Sequence, residues 1–265
     1  IPQLQLGACF CGESFYLTFP EEWKSFVESH DTCLLKAPLS GSGKGLNWCK
    51  GVYTPSISGW CSRIGKQQGG VIGEPLYNKV EDFAMEFYAD GRGRVVFAGY
   101  SVFHTGGSGM YAGNDLLSDE KILQKLSAYV PQEEFIRLRT RLEEELSALF
   151  GGFYHGYLGV DMMICHFPDE APVYRIHPCV EINLRMNMGV VAWLLTDRYL
   201  AADAEGVFRI DYYPLAGQAL EEHRQMSASF PLSVENNRVC AGYLPLVPVT
   251  PQSRYRAFLL LTLPQ

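Results

Sequence analysis

The sequence predicts an α+β fold, because segments with the period of a β-strand and segments with the period of a helix both occur along it. Residues 159–164 and 181–185 alternate apolar and polar side chains, as half-buried strands do. Residues 131–150 instead place Phe135 and four leucines three or four positions apart, as amphipathic helices do. Apolar residues make up 47% of the 265 residues and charged residues only 19%, so we expect one large or two modest folded domains.

Helical periodicity occurs in six segments, and four of them start at a residue that favours a helix N-terminus. Proline is tolerated in the first turn because its missing N–H is not needed there, and serine is a good N-cap. Glycines at the C-terminal boundaries, Gly69 and Gly151, end two of the helices. The expected helices begin at Pro20, Pro55, Ser118, Pro131, Val190 and Leu220.

Strands are expected wherever short apolar runs are bounded by turn residues. The Asp90-Gly91 pair favours a hairpin turn between two of them. The glycine-rich segment 105–114 is interpreted as a loop. Besides the two alternating segments above, the expected strands are residues 33–35, 71–75, 82–87, 94–97, 207–213 and 254–263.

Composition excludes some classes of function. Lys plus Arg total 22 and Asp plus Glu total 29, and this net charge of −7 argues against a nucleic-acid partner. No apolar run approaches the ~20 residues that a membrane span needs, so no membrane partner is expected. The eight cysteines are scattered without the spacing of a zinc site, and several lie in apolar strands. We therefore expect reduced thiols and a cytoplasmic location.

The segments around Asp161 and Glu181 carry the first candidate site. Side chains alternate between the two faces of a strand, so Glu181, Asn183 and Arg185 project from one face. Ile182 and Leu184 would then face a core. If the Asp161 strand pairs alongside, two carboxylates meet an amide, and such a hard oxygen cluster suits Mg²⁺. The alternative is an ordinary solvated face of a hairpin.

A second candidate site follows the buried strand that ends at Lys36. The loop after it contains Ser40, Gly41, Ser42, Gly43 and Lys44, and small residues let backbone N–H groups close on an anion. The loop does not match the phosphate-binding motif that ends in Gly-Lys-Ser/Thr, because Gly45 follows Lys44. The alternative is a flexible surface loop.

Taken in order, these motifs resemble the ATP-grasp superfamily. The resemblance rests on a strand-end lysine with a Ser/Gly loop, a strand ending in Glu-Pro, an acidic strand, and the G-x-D and E-x-N-x-R segments. It covers residues from about 20 to 190. It implies two α+β subdomains with a nucleotide cleft between them, which we place at residues 1–72 for the small lid subdomain and 73–265 for the large one.

The resemblance also implies roles for individual residues. Lys36 and the loop Ser40–Lys44 would contact the ATP phosphates, and the backbone beside Glu74 would read the adenine edge. Asp82 would bind the ribose, with Glu81 as the alternative. The remaining roles are Mg²⁺ binding by Asp161, Glu181 and Asn183, and contact with the reacting acyl phosphate by Arg185.

The activity implied is that of an ATP- and Mg²⁺-dependent ligase. It would phosphorylate a small carboxylate, let an amine or another nucleophile attack the acyl phosphate, and release ADP and phosphate. Family members usually carry a further N-terminal domain, which nothing before residue 20 resembles, so that domain is an expected partner. The alternatives are a nucleotide-binding or regulatory domain without catalysis, and a small-molecule kinase.

Overall fold

The structure is a computed structural model that describes residue 4 and residues 6–41, 45–106 and 111–262. Its first part is a four-stranded antiparallel sheet with the order β1-β4-β2-β3. Trp23, Phe26 and Ile64 from two helices are buried together with the sheet residues Leu35 and Val71. The elements of this small subdomain are β1 (Phe15–Leu17), α1 (Pro20–Glu28), β2 (Cys33–Lys36), β3 (Leu46–Cys49), α2 (Pro55–Gln68) and β4 (Val71–Pro75).

The second part is a nine-stranded sheet. Its elements are β5 (Lys79–Asp90), β6 (Val95–Thr105), β7 (Tyr111–Leu116), α3 (Asp119–Ser127), α4 (Gln132–Phe150), β8 (His155–His166), β9 (Tyr174–Asn183), α5 (Met188–Tyr199), β10 (Glu205–Tyr212), α6 (Gln218–Ser229), β11 (Ser233–Glu235), β12 (Arg238–Pro245) and β13 (Tyr255–Thr262). The strand order is β11-β12-β13-β10-β7-β6-β5-β8-β9. Two sheets and six helices in the described part of the chain confirm the α+β class.

Alternation along β5 and β8 separates a core face from a polar face. Phe83 and Met85 of β5 and Val160 and Met162 of β8 are buried in one apolar cluster with residues of α3 and α4. The intervening residues, which include Asp161, therefore lie on the opposite face of the sheet. α5 packs against β6, β7 and β8. The sheet thus presents polar side chains beside the N-terminus of a helix.

The expected helices are confirmed, and side-chain caps explain several of their starts. Thr54 Oγ1 accepts a hydrogen bond from Ile57 N at 3.3 Å before α2, and Ser118 Oγ accepts one from Lys121 N at 3.4 Å before α3. Gly69 ends α2 with a φ of 85°, a left-handed conformation that favours glycine. None of the helices among the described residues is long and apolar enough to cross a membrane.

Two expectations about local structure are wrong. Segment 105–114 is not all loop, since β6 reaches Thr105 and β7 begins at Tyr111. Pairing of β7 with β6 and β10 overrides the glycine content there. Ile182 and Leu184 do not face a core but are 36% and 42% exposed. The reason is that β9 is the edge strand of the sheet, whereas α3 and α4 pack mainly on β5 and β6.

The two sheets are not built from cleanly separated stretches of the chain. β4 belongs to the small sheet up to Pro75, and the division into a lid subdomain at 1–72 and a large subdomain at 73–265 stays a prediction. The segment before β1 instead lies along β9 of the large sheet. Cys11 N donates to Ile176 O at 2.9 Å, and Ile176 N donates to Cys9 O at 2.9 Å.

Candidate functional site

Asp161 and Glu181 face each other across the β8–β9 pair. The register places Asp161 directly opposite Glu181 and Gly159 opposite Asn183. Directly opposed residues of an antiparallel pair have their Cβ atoms only about 4.5–5.5 Å apart. The hairpin therefore brings together the two carboxylates that the sequence proposes as metal ligands.

The surroundings of the two carboxyl groups disfavour their ionised forms. Burial, followed by the repulsion of Glu181, raises the pKa of Asp161 to about 7. Burial also raises the pKa of Glu181, although its side chain still meets solvent, and the charges of Lys36 and Arg185 oppose that shift. This edge of the sheet therefore favours a bound cation.

A chain of hydrogen bonds connects Asp161 to Arg185. Asn183 Nδ2 donates to Asp161 Oδ2 at 3.0 Å, and Arg185 Nη2 donates to Asn183 Oδ1 at 3.0 Å. Asn183 is buried, whereas Arg185 is exposed. The guanidinium thus lies at the open end of the cluster, where a solute can reach it.

Lys36 connects the small subdomain to the site formed by Asp161 and Glu181. Its ammonium lies 2.5 Å from Glu74 Oε2 on the adjacent strand and donates to Val180 O of β9 at 3.2 Å. Val180 directly precedes Glu181, so a cation from one sheet stands beside the carboxylates of the other. The carboxylate of Glu74, by contrast, forms an ion pair with Lys36.

The loop after Lys36 is closed at its base. Ala37 N donates to Gly45 O at 2.9 Å, and Gly45 has a φ of 77°, which a residue with a side chain rarely adopts. Ser40 Oγ donates to Ala37 O at 3.2 Å. A Cβ added at Gly41 would lie 3.9 Å from Arg185 Nη2, so the loop approaches the arginine. Ser42, Gly43 and Lys44 lie outside the described residues.

Asp82 and Glu81 differ in what they face. Asp82 lies on the same face of β5 as Ala84, whose partner in β8 is Asp161. Its carboxylate pairs with Lys79 and accepts a hydrogen bond from Thr105 Oγ1 at 2.9 Å. Glu81 instead pairs with Lys125 of α3 at 3.3 Å. The geometry therefore favours Asp82 over Glu81 as the residue on the sheet face that carries Asp161.

Solved structures with the same architecture are known. The N5-carboxyaminoimidazole synthetase of Staphylococcus aureus complexed with ADP superposes with a TM-score of 0.54 at 11% identity, over 98% of this chain and 65% of that one. The carboxyaminoimidazole ribonucleotide synthase of Aspergillus clavatus complexed with ATP gives a TM-score of 0.53 at 11% identity, over 98% and 66%. Both are ATP-grasp enzymes. No protein-family model and no curated protein matches the sequence.

The chain has the ATP-grasp fold. At 11% identity the likeness to these two enzymes concerns the fold. The chain corresponds to 65–66% of their length. It is the geometry of this chain's own residues that bears on activity within that fold.

The donor set can be tested against the Mg²⁺ that the ATP-grasp resemblance implies. Asp161 and Glu181 supply hard oxygens at a place where carboxylates repel, and such a set fits the ion. Asn183 would have to turn its amide over, since its Nδ2 now faces Asp161. No group of three or more His, Cys, Asp or Glu residues suited to a metal occurs in the described part of the chain. Since Mg²⁺ usually takes only a few protein ligands, this set would leave positions open for phosphate or water oxygens.

Sequence reasoning missed a polar cluster behind this site. Glu86 of β5 is fully buried and accepts hydrogen bonds from Ser101 Oγ at 2.9 Å and Asn187 Nδ2 at 3.0 Å. Burial raises its pKa to about 8. Two signals were present in the sequence: a glutamate within the apolar run 83–87, and an asparagine in the N-cap position before residues 188–199.

Proposed function

We propose that this chain is an ATP- and Mg²⁺-dependent ligase that joins a carboxylate to an amine or another nucleophile through an acyl phosphate, releasing ADP and phosphate. The observation that carries the proposal is the meeting of Lys36, the Asp161–Glu181 pair and Arg185 where the two sheets approach each other. The ADP and ATP named for the similar synthetases support the binding of a nucleotide.

The positive charges of Lys36 and Arg185 complement the negative charge of a nucleoside triphosphate. Lys36 lies between the small sheet and β9, and the loop that follows it closes toward Arg185. Phosphates between Lys36 and Arg185 would meet positive charge from both subdomains. Mg²⁺ held by Asp161, Glu181 and Asn183 would neutralise charge on the transferred phosphoryl group.

Arg185 favours an anionic acceptor. An alcohol must lose its proton before it attacks a phosphate, so a kinase needs a carboxylate base at that point. The exposed guanidinium instead suits a carboxylate substrate and the acyl phosphate formed from it, because its planar fork binds two oxygens at once. The amine would attack this intermediate after the loop over residues 37–45 has excluded water.

Trapping with hydroxylamine tests the proposal. The protein is incubated with MgATP, hydroxylamine and a panel of small carboxylic acids, and hydroxamates and released nucleotides are quantified. We expect a hydroxamate together with ADP, and a fall of both by about 10²–10³-fold in the Arg185→Gln variant with ATP binding retained. AMP as the product would overturn the acyl-phosphate route, and a phosphorylated alcohol would identify a kinase. ATP binding without turnover of any acid would favour a regulatory nucleotide-binding domain.

A further inference from the structure

Arg185 lies on an exposed arch between two buried asparagines. Asn183 and Asn187 are each only 7% exposed, whereas the three residues between them all meet solvent. The arch turns tightly at its start, where Arg185 N donates to Asn183 O at 2.9 Å. The position of the guanidinium therefore depends on how the two asparagines are fixed.

Each asparagine is held by a carboxyl group of the large sheet. Asn183 is held by Asp161 of β8, which belongs to the site described above. Asn187 is held by Glu86 of β5, a residue 101 positions away in the chain. Asn187 Oδ1 also accepts a hydrogen bond from Val190 N at 2.8 Å, which caps α5. Glu86 thus fixes the far end of the arch and the start of the helix together.

The backbone around Glu86 leaves room for this contact and for little else. A Cβ added at Gly159 would overlap Asn187 Nδ2 and Glu86 Oε2, and a Cβ added at Gly189 would overlap Glu86 Oε1 and Ser101 Oγ. Glu86, Ser101 and Asn187 are all buried. A closely packed, hydrogen-bonded group of side chains has one arrangement, so its position fixes the position of the arch.

We propose that Glu86 is a positioning residue for Arg185. By holding Asn187 it fixes the far end of the arch, and so it sets where the guanidinium meets the anionic substrate. The proposal rests on the proposed function for the role of Arg185, but the contact that it invokes exists without substrate. Glu86 itself is fully buried behind the site, so its effect on the reaction passes through Asn187 and the arch.

The kinetic test uses the hydroxamate assay with Glu86→Ala, Glu86→Gln and Asn187→Ser. Glutamine can still accept from Asn187 and donate to Ser101, whereas serine still caps α5 but is too short to reach Glu86. We expect Glu86→Ala and Asn187→Ser to lower kcat at least about tenfold with KM for MgATP within about threefold, and Glu86→Gln to stay near wild type. Asp119→Asn is the control, because Asp119 is a partly buried carboxyl that accepts from Tyr100 N at 2.9 Å away from the arch.

A double-mutant cycle separates positioning from general damage. If Glu86 acts through Arg185, Glu86→Ala should cost no further activity in an Arg185→Ala background. Additive losses, or an equal effect on KM for MgATP and on kcat, would overturn the proposal.

Trypsin cleavage gives a readout that needs no turnover. Cleavage after Arg185 requires the arch to open locally, so the Glu86→Ala and Asn187→Ser variants should be cut there about tenfold faster than wild type. Cleavage after Arg92, in the exposed β5–β6 turn, should not change. Unchanged cleavage at Arg185 in both variants would refute the positioning role. Faster cleavage in a protein that activates no acid would keep the Glu86 contact and reject the ligase proposal.

Discussion

Lys36 has both a structural contact in the fold and a proposed catalytic role. Its ammonium pairs with Glu74 in the small sheet and donates to the backbone of β9 in the large sheet. A buried carboxylate that loses its cation is destabilised, so a substitution of Lys36 combines two effects. A matched change at Glu74 separates them.

We predict that Lys36→Ala lowers the rate of hydroxamate formation by about 10²–10³-fold, because it removes a positive charge from the transferred phosphates. Glu74→Gln breaks the same ion pair but keeps Lys36, and it should cost far less activity. Steady-state kinetics with both variants, at temperatures below their melting points, makes the comparison. Full activity of Lys36→Ala would move the role to another lysine, with Lys44 the next candidate.

The buried Glu86 predicts how stability depends on pH. Its folded pKa of about 8 lies above the ordinary 4.5, so the folded protein holds a proton that the unfolded chain releases between these values. The stability that the folded protein gains from this proton is fully present below about pH 4.5 and is lost as the pH rises through about 8. Glu86→Gln should therefore gain stability relative to wild type across this window, on the order of a few kcal/mol at pH 8. Urea unfolding at pH 5 and pH 8 measures it, and a difference that does not grow with pH would contradict the prediction.

At the scale of elements, the docking of α5 on the large sheet depends on a glycine in β6. A Cβ at Gly99 would overlap the indole of Trp193, which lies in α5. α5 begins directly after Asn187, so its seat on the sheet also affects the arch that carries Arg185. The close approach of helix and strand is thus connected to the proposed site.

We predict that Gly99→Ala destabilises the protein by about 1–3 kcal/mol, because the added methyl group overpacks this contact. Gly59→Ala is the matched control, since a Cβ at Gly59 in α2 meets nothing within 4 Å. Alanine there should raise stability by about 0.5–1 kcal/mol through better helix propensity. Chemical denaturation of the two variants tests the sign, and destabilisation by both would contradict the prediction.

At the scale of the whole molecule, we expect ligand binding and the contact between the sheets to be coupled. Lys36 of the small sheet donates to the backbone of Val180 at 3.2 Å, and its charge acts on the Glu181 carboxyl group of the large sheet. A ligand that bridges them would stabilise the folded protein by mass action. The stability gained would depend on the carboxylates that face the cation.

We predict that MgATP at a hundredfold excess over its Kd stabilises the protein by ~2.7 kcal/mol, and that Asp161→Asn removes most of this gain. Thermal melts with ATP alone, Mg²⁺ alone and both together measure the effect. A wild-type melt that does not move with saturating MgATP would count against the metal and nucleotide assignments together.

The expected N-terminal domain stays a proposal at this scale. Phe15, Tyr16 and Phe19 are 43%, 57% and 63% exposed on the small subdomain, which is consistent with a docking face for another domain. Phe10, in contrast, packs partly buried against the large core. The exposed aromatic side chains lie around β1, the edge strand of the small sheet.

The sequence by itself determined the helices and most strands, whereas the register that places Asp161 opposite Glu181 came from the structure. Helix starts are local, since proline at the first turn and serine or threonine at the N-cap act on neighbouring backbone groups. Alternation along the strand likewise predicts that Glu181 and Asn183 share a face of β9. The expected placement of Arg185 on that strand is wrong, because β9 ends at Asn183 and the chain turns there.

Only the tertiary structure decided which faces became buried. Ile182 and Leu184 alternate as core residues would, yet they are exposed because β9 ends the sheet and the helices pack on β5 and β6. In the sequence, Glu86 is an ionisable residue within an apolar strand. Only folding brings Asn187, 101 residues away, close enough for its Nδ2 to donate to Glu86 Oε2 at 3.0 Å. Burial and partners of this kind depend on contacts between distant segments, which no local pattern specifies.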